Sequence, residues 1–407
     1  MQASARVLGT AGAPLAGVRV VEIASFVAVP LAGMTLAQLG CDVVRVDPIG
    51  GAADYRRWPV TDDGTSIYWT GLNKGKRSVV ADLRSPEGQQ VIRRLIADSG
   101  VVITNMTGRQ WLSYEALAPE RPDLIHLEVV GRSDGSTAVD YTVNAGVGFP
   151  LVTGPADCAA PINHVLPAWD IACGLHAAVA VSAALHRRAQ TGEGCRIRLA
   201  LQDVALGTAS ALGFLTEAMV NGVRRERIGN AVYGQYGQSF TSCDGASFMV
   251  VTLTNRHFRD LAELTESTKV LAALAQARGI DFDDEGQRYC HRDLLTGLFS
   301  GWFTARSAGQ IEAALAATSL LWDRYRSFAE VAADEGLRDN PMFTALDQPR
   351  VGEYLAAGLP SSIDGIHPPA VAAPALGADT VQVLADRLGL STEDINRLRQ
   401  RGAVATE

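Results

Sequence analysis

The alternation of apolar strand-like runs with helical segments over the first 130 residues constrains the fold more than any other feature of this chain. Residues 17–24 read as a strand. Residues 30–39 read as a helix, with Pro30 in its first turn and Gly40 at its end. Residues 41–47 and 77–83 read as strands, and Ser85-Pro86-Glu87 opens a helix running to about Ser99. Residues 101–105 return as a strand, and 124–130 follows a further helix. Strands separated by helices imply parallel βαβ units, so an α/β, Rossmann-like domain with a doubly wound parallel sheet is expected. The turn after the first strand is Ser25-Phe26-Val27-Ala28-Val29-Pro30, with no GxGxxG. NAD and FAD are therefore not expected as cofactors. A Walker A motif is also absent from the sequence.

The 407 residues exceed one ordinary small core, so a large domain and a smaller one are expected. Two long helical segments, 171–189 and 202–221, end the first part. Residues 224–333 change character: a strand at 248–253 lies among helical patterns at 257–264, 271–278 and 309–317. The division is a large domain over 1–223, a small α+β domain over 224–333 and a C-terminal segment over 334–407. That segment closes with helices at 379–388 and 391–401. A net charge of −8 argues against a nucleic-acid partner. Six scattered cysteines without a CxxC pair suggest neither a metal site nor a disulfide framework, and a cytoplasmic location fits. Residues 1–14 carry no secretory pattern. The uncharged run 23–41 is broken by Ser25, Pro30, Gly33, Thr35, Gln38 and Gly40, so no membrane association is expected.

Asp170 is the candidate with the most chemistry around it. It opens a long apolar, small-residue-rich helix that ends at Thr191-Gly192-Glu193-Gly194. The plain role is capping of the free N–H groups there. The sharper role uses the same geometry: a helix N-terminus keeps a carboxylate ionised, and an ionised carboxylate can attack an acyl carbon without a base beside it. His164 near apolar residues reads first as structural. Asn73-Lys74-Gly75-Lys76-Arg77-Ser78 reads as a solvated basic turn or a phosphate contact. The glycine-rich 229–238 stretch, with Gly234 at its centre, reads as a hairpin or a loop closing over substrate.

These blocks, in this order, resemble the family III CoA-transferases, which include formyl-CoA and carnitine CoA-transferases. The similarity runs through Pro30 to Asp47, Asn73 to Leu83, Thr104-Asn105, Trp169-Asp170 to Gly194, and Pro374 to Asp379. Within the family, Asp54 to Thr61, Asp140 to Asn144 and Asn163 to Asp170 resemble members that shift CoA between two carboxyl groups of one C5 unsaturated dicarboxylate. The resemblance implies a large domain built from both chain ends, a small domain between them, and an interlocked homodimer. It places the nucleophile at Asp170 and the CoA contacts at Asp47, Asn73, Lys76, Arg77 and Asn105. Val27 stands where formyl-CoA transferase has a glutamine, and the 229–237 stretch replaces that enzyme's four-glycine loop. Both departures argue against formyl and oxalyl substrates. α-Methylacyl-CoA racemases share the fold but need a histidine where this chain has Val139. Racemisation would then lack one of its two bases.

The resemblance implies that Asp170 attacks the thioester to form a mixed anhydride, which CoA thiolate opens to an aspartyl-CoA thioester. The other carboxylate of the freed acid then reverses the sequence. No cofactor is implied beyond the CoA that the acyl-CoA substrate carries. A cation must hold the acid meanwhile, and Arg56, Arg57, Arg132 and His164 are candidates, with Val27, Tyr141 and Gly234 as further substrate contacts. Two alternatives stand beside this: transfer between different acids with a donor such as succinyl-CoA, and a CoA-binding protein without turnover, against which the intact surroundings of Asp170 argue.

Overall fold

A computed structural model describes residues 12–406. The chain forms two compact units: the first takes residues up to Val147, His164–Asn221 and Glu335 onward, and the second takes Gly148–Asn163 and Gly222–Asp334.

The first unit is built on a seven-stranded sheet. Its strands are β1 (Arg19–Ile23), β2 (Asp42–Asp47), β3 (Arg77–Ala81), β4 (Val101–Thr104), β5 (Ile125–Val130), β6 (Cys195–Ala200) and β7 (Val404–Ala405). Their order is β7-β3-β2-β1-β4-β5-β6. Six run parallel, and β7 pairs antiparallel with β3. The order reverses direction between β1 and β4, so the connections leaving these strands part to opposite sides. A crevice opens there at the strands' carboxyl ends. Strands covered on both faces bury nearly every residue: Val20, Val21 and Ile23 on β1, and Val101 to Ile103 on β4.

Among the helices that frame the sheet and crevice are α1 (Ala28–Gln38), α2 (Ile67–Leu72), α3 (Pro86–Ser99), α4 (Asp140–Gly146), α5 (Ala168–Thr191) and α6 (Leu201–Ala211). Ser85 caps α3 by accepting from the Gly88 N–H, and Gly100 ends it in the left-handed conformation. The small residues of α5 have a geometric reason. A Cβ on Gly174 would stand 2.6 Å from the Ala28 carbonyl oxygen, so glycine permits α5 to close on α1. By length and composition α5 could cross a membrane, yet its Cys173, Gly174, Ala177, Ala178 and Val181 are buried within the unit. The uncharged 23–41 run becomes the end of β1, a turn and α1.

Three elements differ from the sequence-based expectation. β6 was not anticipated: Cys-Arg-Ile-Arg-Leu-Ala is an edge strand whose exposed arginines conceal it. The helix expected over 202–221 breaks at Leu212–Gly213, bending by 60° where Gly213 takes φ +80°. Residues 148–163, expected in the large domain, belong to the second unit. There the Gly229 N–H donates to the Gly154 carbonyl, and Arg227 reaches the Pro150 carbonyl at 3.0 Å.

The C-terminal segment from Glu335 onward groups with the first unit. Asp379 accepts from the Ser78 N–H at 2.8 Å, and the Gly377 N–H donates to the Ser78 hydroxyl at 2.8 Å. The second unit is α+β. A three-stranded antiparallel sheet (Tyr236–Thr241, Ser247–Thr252, Leu321–Arg324) packs Tyr236, Phe248 and Val250 against helical Phe258, Leu295, Phe299 and Phe303.

Candidate active site

The crevice at the switch point holds a cleft of about 570 Å³, within the usual range for small-molecule sites. Ser25–Ala28 wall it after β1, Asn105 and Thr107 after β4, and Val129–Gly131 at the end of β5. Asp170, Asp140, Tyr141, Arg57 and Tyr68 complete the lining.

Asp170 is the third residue of α5. The residue before that helix is Pro167, which offers no capping side chain. Asp140, the first residue of α4, does the capping: its Oδ2 accepts from the N–H groups of Trp169 at 2.7 Å and Asp170 at 3.0 Å. Asn144, one turn further along α4, accepts from the Trp169 indole N–H at 3.0 Å. The Asp170 carboxylate therefore has no capping duty, and among the described residues it makes no hydrogen bond. Burial pushes the Asp170 carboxyl up to about 6, the charge of Asp140 adds to this, and Arg57 opposes it. At neutral pH Asp170 is still mainly ionised, and it is more basic than a free aspartate.

Arg57 is the cation facing this carboxylate. Its guanidinium lies over the rings of Phe26 at 5.6 Å and Tyr68 at 5.2 Å. It has no ion-pair partner among the described residues. Phe26 takes φ +67°, a left-handed conformation costly for an aromatic residue, at the turn that borders the cleft. Two contacts hold that turn. The Phe26 N–H donates to Asp54 at 3.0 Å, and Asn105 bonds both polar groups of the Ser25 backbone at 2.9 and 3.2 Å.

Beneath the turn is a buried ionic cluster. Arg45 lies 2.9 Å from Asp47 and 3.3 Å from both Glu22 and Asp54. Lys76 lies 2.8 Å from Glu22 and donates to the Pro30 carbonyl and to Asn73, each at 2.8 Å. Burial lowers the Lys76 ammonium to about 8 against the pull of Glu22. Gly33 of α1 is required above it, because a Cβ there would stand 1.7 Å from Glu22.

Three residues of the expected CoA set lie in this cluster. Asp47, Asn73 and Lys76 are at most 4% exposed; Asp47 and the Asn73 oxygen accept from Arg45, the Asn73 amide donates to the Trp69 carbonyl, and Lys76 is held by Glu22, Asn73 and the Pro30 carbonyl. Arg77 opens β3, at the amino end of a parallel strand, and binds Asp42 through Nε at 2.8 Å. Five residues of strand, on the order of 16 Å, separate it from the carboxyl-end crevice. Of the five, Asn105 alone lines the cleft.

The expected substrate contacts divide similarly. Val27, Arg57 and Tyr141 line the cleft. The Tyr141 hydroxyl donates to the Val165 carbonyl at 3.2 Å. Arg132 is turned into the rim loop, donating to the Thr137 carbonyl at 3.2 Å. Arg56 borders a separate cavity of about 310 Å³ with Trp69 and Arg350. His164 packs edge-on against Trp169 at 6.3 Å, and among the described residues neither ring nitrogen has a hydrogen-bond partner. Gly234 belongs to the second unit, where it takes φ +77° just before the strand Tyr236–Thr241. Val139 lines the cleft where the racemases carry a base, and no histidine is among the lining residues. Sequence reasoning missed Asp140 and Asn144 as site residues. Their signal is a spacing of four, which places both on one helix face.

Comparison with known proteins agrees with this geometry. The model of "CoA-transferase family III" matches residues 15–380. Over 399 residues the chain is 44% identical to 2-methylfumaryl-CoA isomerase of Chloroflexus aurantiacus, covering 96% of this chain and 98% of that protein. It is 35% identical over 234 residues to succinate–glutarate CoA-transferase of Agrobacterium fabrum, covering 54% of this chain and 58% of that one. Among solved structures, a CAIB/BAIF family protein from Brucella suis superposes with a TM-score of 0.77 at 26% identity, covering 92% of this chain and 99% of that one. The match spans both units and the cleft that carries Asp170, and the chain belongs to the family III CoA-transferases.

Proposed function

We propose that this enzyme moves CoA between the two carboxyl groups of one molecule, converting 2-methylfumaryl-CoA (mesaconyl-CoA) to 3-methylfumaryl-CoA. The observation that carries the reading is the meeting in one cleft of an unbonded, basic Asp170 carboxylate and an unpaired Arg57 guanidinium. The similarity to 2-methylfumaryl-CoA isomerase supports the substrate.

Asp170 attacks the thioester carbonyl and expels CoA thiolate, leaving a mixed anhydride. The thiolate attacks the Asp170 carbonyl, releasing the dicarboxylate and forming aspartyl-CoA. The dicarboxylate turns, and its other carboxylate attacks aspartyl-CoA, expelling thiolate again. That thiolate takes the substrate carbonyl and frees Asp170. Arg57 is placed to hold whichever carboxylate is not reacting, so the freed acid competes at an effective concentration of ~10⁵ M or more. Millimolar acid in solution cannot match this.

The working enzyme is a homodimer in this reading. Support comes from the outer face of α5, where Leu175 and Val179 are exposed, and from exposed Met219 and Val220 in the helix Phe214–Asn221. A cytoplasmic setting suits six unpaired cysteines.

The test is turnover of mesaconyl-CoA alone in the presence of labelled free mesaconate. Regioisomeric product with little label is expected, and Arg57→Met should raise label incorporation. The similarity to succinate–glutarate CoA-transferase favours a second reading, transfer between separate acids. Rapid full exchange, or an absolute need for a second acid, would establish that reading instead.

A further inference from the structure

We propose that Asp140 is the positioning residue of the nucleophile: its buried carboxylate fixes the first turn of α5 and holds a negative charge beside Asp170. The inference rests on the assignment of Asp170 as nucleophile.

The geometry gives Asp140 the capping of α5. The first N–H groups of any helix lack partners within it. Pro167 cannot supply one, and α5 begins at the cleft, where its backbone direction sets the aim of Asp170. Asp140 answers from another element, taking the N–H groups of Trp169 and Asp170 on one oxygen. Asn144 and Tyr141, from the same short helix, hold the Trp169 indole and the Val165 carbonyl. Residues 165–170 are thereby fastened to α4 at backbone and side-chain level alike.

The same carboxylate acts electrostatically. Asp140 is 2% exposed, and among the described residues its Oδ1 has no hydrogen-bond partner. Its charge is thus poorly screened. The other groups facing Asp170 are Arg57, Tyr68 and Cys173, with Tyr141 and Asp54 beyond Tyr68. Arg57 is the only cation among them. Asp140 offsets part of its pull, and a more basic carboxylate is the better nucleophile toward a thioester.

The two effects separate experimentally. Asp140→Asn keeps an oxygen for the two N–H groups and removes the charge. Asp140→Ala removes both. With mesaconyl-CoA as probe, Asp140→Asn should shift the acid limb of kcat/KM down by about one pH unit and lower kcat several-fold, with little change in melting temperature. Asp140→Ala should lose at least a further tenfold in kcat and melt at lower temperature. A wild-type limb in Asp140→Asn would overturn the electrostatic role. An Asp140→Ala enzyme with kcat within twofold of wild type would overturn the positioning role. Asp170→Asn, measured alongside, distinguishes the two levels: activity there would remove the nucleophile assignment itself, whereas its inactivity beside unaffected Asp140 variants would remove only this inference.

Discussion

Replacing Asp170 should stabilise the protein. Asp170 is held at a pKa of about 6, against an ordinary value of 3.8, because folding buries it near Asp140. A folded-state pKa above the unfolded one means that the native state binds the proton more tightly. The group's favourable contribution is therefore fully present below about pH 4 and is lost as pH rises through 6. The difference of about 2 units corresponds to roughly 3 kcal/mol at pH 8, at about 1.4 kcal/mol per unit. Asp170→Asn keeps the shape and cannot ionise. It should exceed wild type in stability by about 1–3 kcal/mol at pH 8, and the gap should close between pH 6 and 4. Urea unfolding of both proteins at half-unit pH steps measures this, with activity assays confirming that the stabilised variant is inactive. An Asp170→Asn protein no more stable than wild type at pH 8, or a gap independent of pH, would refute the reasoning.

Three further outcomes are expected. In wild type, kcat/KM for mesaconyl-CoA should fall below pH 6 with a slope of one, since protonated Asp170 cannot attack; an acid limb absent down to pH 5 would contradict the assignment. Lys76→Met should cost roughly 3–5 kcal/mol in a denaturant titration, because it strips Glu22 of its closest cation in a fully buried cluster. Gly174→Ala should cost about 1–3 kcal/mol and lower kcat as well, because the new methyl meets the Ala28 backbone and pushes α1 from α5; melting and steady-state assays on the same preparation test both parts.

The legible parts of the fold were those governed by local period and punctuation. β1 to β5, α1 and α3 announced themselves through continuous valine and isoleucine runs, Pro30, Ser85 and Gly100. β6 did not, because an edge strand may expose every second side chain and Arg196 and Arg198 break its apolar run. Residues 148–163 carry no periodicity and are placed by Arg227 and Gly229, far along the chain. At the site, the apolar helix opened by Asp170 and the cation Arg57 were visible as residue types in context. The buried counter-charges around Asp47, Asn73 and Lys76 were not legible, because a basic turn beside an acidic strand end looks the same whether it faces a ligand or an ionic cluster. Only the positions of Arg45 and Glu22 at the sheet interior reveal the cluster. Asp140 escaped notice because a cap supplied from a different helix leaves no signal at the capped end.

The central claim is that CoA passes through a covalent bond to Asp170. The most direct measurement is trapping with hydroxylamine during turnover of mesaconyl-CoA, followed by mass spectrometry of the peptide that contains Trp169-Asp170-Ile171. The account predicts a hydroxamate on Asp170 that appears only when substrate is present and is absent from Asp170→Asn. Continued turnover with an unmodified Asp170, or a hydroxamate on a different carboxylate, would contradict it.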